Sequence, residues 1–119
     1  MSYIDGFLIA CKTENKQKFI DHAKMFDHLF IEYGALRVVE CWQDDVAKGE
    51  TTDFFRAVKA EEDEAVVFSW IEWPDKETRN TQMAKMMEDP RMDPEGVEIP
   101  FDGMRMVFGG FVPVYEVTA

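Results

Sequence analysis

Along one stretch of the chain, Phe19, Ala23, Phe26, Phe30 and Tyr33 recur at spacings of four, three, four and three. That rhythm lays a single apolar stripe along a helix. Asn15 or Thr13 is placed to cap its start, and Gly34 to stop it. On either side the helical period is lost. Tyr3–Cys11 and Ala35–Gln43 are short β-rich runs and predict strands, while Ala65–Trp73 (AVVFSWIEW) is the strongest strand signal in the sequence. Pro74 ends that run, and Asp75 stands where a helix N-cap belongs. A second helix is predicted to about Glu88, with Met83, Met86 and Met87 on one side.

Between these elements, Asp44–Thr52 reads as a loop and Asp53–Ala60 as either a strand or a short helix. The acidic run Glu61–Glu64 reads as a solvated turn. Asp89–Gly103 holds three prolines and two glycines and predicts a long irregular connection. A last strand is predicted over Arg105–Val117. Its Gly109-Gly110 pair signals a bulge or a close backbone approach.

The resulting order, β-α-β-β-α-β, predicts an α+β, ferredoxin-like fold. Its four-stranded antiparallel sheet carries both helices on one face and has the first and third strands at its centre. At 119 residues the expectation is one domain spanning 1–119.

A sheet with one wet face alternates apolar and polar residues. These strands do not. In the third predicted strand Ala65, Val67, Ser69, Ile71 and Trp73 lie on one side, and Val66, Phe68, Trp70 and Glu72 on the other. The first strand has Phe7 and Ile9 opposite Ile4 and Leu8; the last has Val107, Phe111 and Tyr115 opposite Met106, Phe108 and Val112. Two helices cover only one face, so a second copy of the chain is the economical cover for the other. The alternative is that the Asp44–Ala60 and Asp89–Gly103 segments fold over it.

Several stretches carry a resemblance. YIDGF (Tyr3–Phe7), EYGALRVVECW (Glu32–Trp42), DFFRAVKAEEDEAVVFSWIEWPDKETR (Asp53–Arg79), MEDPRM (Met87–Met92) and PFDGMRMVFGGF (Pro100–Phe111) are similar to the YbaA-like bacterial family, domain of unknown function 1428. The resemblance runs over essentially the whole chain. It implies the dimeric α+β barrel superfamily, in which two ferredoxin-like sheets pack face to face. It implies no reaction, and so assigns no catalytic residue.

Charge narrows the field of partners. Thirteen basic against twenty-four acidic residues leave a net charge of −11, which repels nucleic-acid backbones and anionic membrane surfaces. No apolar run approaches a membrane span and the N-terminus lacks a signal-peptide pattern, so a cytoplasmic location is expected. Cys11 and Cys41, without CxxC spacing, read as free thiols inside strands. His22 and His28 are six apart on one helix and so face different ways. With no metal-binding or nucleotide-binding motif, neither a metal nor another cofactor is expected.

What stands out is polar groups embedded in apolar strands: Asp5, Arg37, Glu40, Ser69 and Glu72. In the functional reading some of them, with His22, Trp42 and Trp70, surround a cavity between sheet and helices. A carboxylate or histidine with a shifted pKa would there act as general base on a small apolar or aromatic molecule. In the bland reading Arg37 and Glu40 form exposed or interfacial salt bridges on an edge strand, Asp5 bonds to backbone or an arginine, and the chain is a non-catalytic dimerisation or docking module. Six of the eight methionines fall at or after Met83, as ligand lining or as ordinary core and interface filling.

Overall fold

The computed structural model describes residues 2–119. Its elements are β1 (Tyr3–Lys12), a 3-10 turn (Thr13–Asn15), α1 (Lys16–Glu32), β2 (Arg37–Trp42), α2 (Phe54–Ala57), β3 (Glu64–Trp73), α3 (Lys76–Met86) and β4 (Val107–Phe111). Two further 3-10 turns, Pro90–Met92 and Gly103–Arg105, punctuate the connection from α3 to β4. The strands form one antiparallel sheet in the order β2-β3-β1-β4, the ferredoxin-like arrangement with the first and third strands central.

Helix α1 lays Phe19, Phe26 and Leu29 against the sheet. Each such burial is worth about 1.5–3 kcal/mol. They meet Tyr3, Ile71 and Trp73 in one cluster and Ile9, Cys11 and Val67 in another. Gly34 ends α1 at φ +105°, in the left-handed region that favours glycine. The Gly34 N–H then donates to Ile31 and the Ala35 N–H to Phe30, which closes the helix with a Schellman motif. Asn15 does take the N-cap position, but its side chain makes no capping bond, because the preceding 3-10 turn already feeds the helix. At α3 the Asp75 side chain accepts the Thr78 N–H, the cap the sequence predicts.

Asp53–Ala60, open between strand and helix in the sequence, contains the short helix α2, capped by Asp53, which accepts from the Arg56 N–H at 2.8 Å. Other local readings are corrected. Glu64 is no solvated turn residue: it begins β3, is buried, and holds Arg105 through two bonds of 2.7 Å. Met87 does not share the inward side of α3; it lies past the helix end, 78% exposed, while Met86 is buried. The last strand is shorter than Arg105–Val117. Its pairing with β1 ends at Ile4 with Phe111, β1 has almost no residues left beyond that point, and Pro113 has no N–H for a ladder. Gly109 and Gly110 sit in regular register opposite Gly6 and Asp5, so there is no bulge. Gly110 instead marks a close approach, since a Cβ there would run into the Tyr3 ring.

The sheet face away from α1 and α3 carries Ile4, Leu8, Phe68, Trp70, Val107 and Phe111. Part of that face is covered from within the chain. Helix α2 and the residues after it pack Phe55, Val58 and Ala60 on Ala10 and Val66. The rest stays open, with Phe68 47% and Phe111 63% exposed, around an apolar groove of ≈ 770 Å³. The Asp89–Gly103 connection, by contrast, lies on the helix side, where Phe101 packs on Phe19. Among the described residues no helix is long and apolar enough to cross a membrane.

Candidate active site

The cross-strand register decides which polar residues meet. Glu40 of β2 pairs with Ser69 of β3, so both side chains point to the helix side of the sheet. From above, α1 brings Asp27 and His22 down towards them. These four residues line a cleft of ≈ 150 Å³, walled by Phe7, Ile9, Phe19, Phe30, Ile71 and Phe101. A second, outer groove of ≈ 350 Å³ runs between α1 and β2, lined by Ile20, Lys24 and Trp42. Phe19, Ala23, Asp27 and Glu40 belong to both, so the two carboxyls stand on the wall that cleft and groove share.

Glu40 stands beside Asp27 and Ser69 on the cleft wall. Loss of water around it, and then the Asp27 charge beside it, hold it well above the ordinary carboxylate range. Asp27 is raised too, first by burial, while the bond from Glu40 and the nearby His28 act the other way. With both carboxyls raised and Glu40 the more so, Glu40 keeps its proton longer, and the pair passes through a state with one proton and one charge. β2 is an edge strand and Glu40 as a residue is exposed along it, so water reaches the pair from the groove side. His22 is held neutral by burial, its ring 4.5 Å from Phe26 and 6.1 Å from Phe101. An acid and a base side by side, with a neutral imidazole on the same cleft, can move a proton onto and off a bound molecule.

Of the residues singled out in the sequence, His22, Glu40, Ser69 and Trp70 come together on this cleft. Trp42 stands apart in the outer groove, 6.0 Å from Phe19 with Lys16 over its ring. Trp70 also lines the cleft, while its ring packs on the open face against Phe68 and under Arg37. Arg37 and Glu72 are cross-strand neighbours on that face, not cleft residues. Asp5 is structural. It takes both nitrogens of a fork from Arg79, at 2.7 and 3.1 Å, and the indole N–H of Trp73 at 3.0 Å, tying α3 to both central strands. Within one chain neither Arg37 nor Glu40 forms a salt bridge among the described residues.

Two cleft residues escape the sequence reading. Asp27 carried a usable signal: it stands four residues after Ala23 and three before Phe30, on the apolar stripe itself. Phe101 carried none, since its place depends on how an irregular connection folds. That connection is held by Tyr33, which donates to Asp89 at 2.7 Å, and by Arg105, which grips Asp102 and Glu64.

Comparison with known proteins places this geometry in a family. Residues 2–103 match the family described as "Protein of unknown function (DUF1428)". The chain is 52% identical over 116 residues to "Uncharacterized protein YbaA" of Escherichia coli K12, covering 98% of this chain and 99% of that protein. The same figures hold for the YbaA protein of Shigella flexneri. Among solved structures, a dimeric ferredoxin-like protein from an uncultured marine organism superposes with a TM-score of 0.58 over 98% of this chain and 100% of its own. At 12% identity that likeness shows the fold alone. By the family match and the identity to YbaA together, the chain belongs to the YbaA-like DUF1428 family.

Proposed function

We propose that the chain works as a homodimer, sheet against sheet, and that each copy binds a small apolar or aromatic molecule in the cleft beneath α1. There its own Asp27–Glu40 pair moves a proton on the bound molecule. The observation that carries the catalytic half is the carboxyl pair itself, sharing a wall with a cleft otherwise lined by aromatic and aliphatic side chains. Stability does not need it: two like carboxyls packed together weaken a fold, and an apolar pair of the same size would pack at least as well. The dimer half is supported by the open face, where Ile4, Phe68, Trp70 and Phe111 line one apolar groove and Phe68 and Phe111 stand well exposed. The marine relative of the fold is itself dimeric. A pure dimerisation module would use the open face and leave the carboxyl pair idle.

Native mass spectrometry at micromolar concentration tests the assembly, with a dimer expected; a monomer overturns it. Amide NMR with phenol and indole as probes tests the site. Shifts clustered at His22, Asp27, Glu40 and Ser69 are expected, and they disappear in Ala23→Leu, which fills the cleft. Shifts that leave those residues untouched overturn the site.

A further inference from the structure

We infer that the cleft selects a single-ring molecule that is uncharged or cationic and carries a hydrogen-bond-donating group, and that it rejects anions. This rests on the cleft being the binding site proposed above and adds the class of its ligand.

Size sets the first limit. A cavity of about 150 Å³ lined by aliphatic and aromatic side chains is known to hold one benzene ring, and the cleft has a volume of ≈ 150 Å³. Two fused rings exceed it unless Phe101 or Met106, both on its wall, give way. The walls set the second limit. Phe19, Phe30 and Phe101 offer faces and edges to a ring, and Ile71 supplies apolar contact.

Charge sets the third. The ionisable groups on the cleft are Asp27, Glu40 and His22, and neither lysine nor arginine lines it. Lys24 belongs to the outer groove only. A carboxyl pair holding one proton keeps one negative charge and spare acceptor oxygens, so it welcomes a hydroxyl or an ammonium. An anionic group would meet that charge with no cation to offset it, inside a chain whose net charge is −11. The aromatic walls add attraction for an ammonium through their ring faces.

The test is an NMR titration of the full chain with phenol, benzylamine, benzoate and 2-naphthol, following the Ser69 and Phe101 amides. Phenol and benzylamine are expected to bind at least about tenfold more tightly than benzoate and 2-naphthol, a difference of about 1.4 kcal/mol. In the double variant Asp27→Asn/Glu40→Gln, which removes the pair's negative charge, the discrimination against benzoate is expected to shrink, while Glu40→Gln alone, which keeps the Asp27 charge, should leave it. Benzoate binding as well as phenol, 2-naphthol binding as well as phenol, or discrimination unchanged in the double variant overturns the inference, while binding in the cleft still stands. If no probe perturbs the cleft, the binding-site reading falls with it.

Discussion

Asp27 on α1 and Glu40 on β2 face each other as like carboxyls, one proton between them, at the seam where helix meets edge strand. His22, His28 and Lys24 on α1 and Ser69 on β3 are the other polar groups about that seam. Because both carboxyls are raised in the folded state, their contribution to stability is fully present below the ordinary carboxylate range. It is lost as pH rises through the raised values. Glu40→Gln keeps a donor for Asp27 and removes the second charge. Its melting temperature should match the parent near pH 4 and exceed it at pH 9. The gain should be no more than about 1 kcal/mol, since water along the strand edge screens the repulsion. A variant equal to the parent at every pH would remove the shared proton.

Asp5→Ala should be far costlier. It strands the Arg79 guanidinium and the Trp73 indole N–H, both of which now end on the Asp5 carboxylate. Arg79 keeps some access to solvent, so the expected loss is about 3 kcal/mol by urea denaturation. Arg37→Ala, at the exposed edge with only a ring contact to Trp70, should cost under about 1 kcal/mol.

The two adjacent glycines of β4 should respond differently to alanine. At Gly110 the added methyl meets the Tyr3 ring, and about 1–3 kcal/mol of stability should be lost. At Gly109 the nearest neighbour is the Phe111 side chain at 3.5 Å, ordinary contact, so thermal denaturation should show little change.

Phe68→Asp puts a charge in the middle of the open face without touching the helix side. Size-exclusion chromatography with light scattering should report a folded monomer for the variant and the proposed dimer for the parent. A variant that stays dimeric would move the interface elsewhere.

How much of this was legible depends on whether a residue's place is set by local period or by distant packing. Parity alone put Val66, Phe68 and Trp70 on one side of β3, and the register confirms it. The stripe from Phe19 to Tyr33 gave α1, and Asp75 gave the start of α3. Glu64 was misread because an acidic run looks solvated until its partner is known, and Arg105 lies 41 positions away. Trp70 borders both the cleft and the open face, and parity alone points only to the second. The site was visible as polar residues in apolar strands, but Asp27 was overlooked because its neighbours on the helix explained the stripe without it.

The strand order also dictates when the chain can fold. β1 pairs with β3 and β4, and β2 pairs with β3, so neither early strand has a partner in the first half of the sequence. Lys12 must wait for Glu64, and Tyr3 for Trp73, before any ladder can close. During synthesis the first sixty or so residues therefore leave the ribosome with an amphipathic helix and two unpaired strands exposed. Emergence of β3 supplies the central strand, and sheet and core then form together. That long-range closure slows folding relative to a helical bundle of the same length. A nascent chain stalled before β3 is the form of this protein most exposed to aggregation.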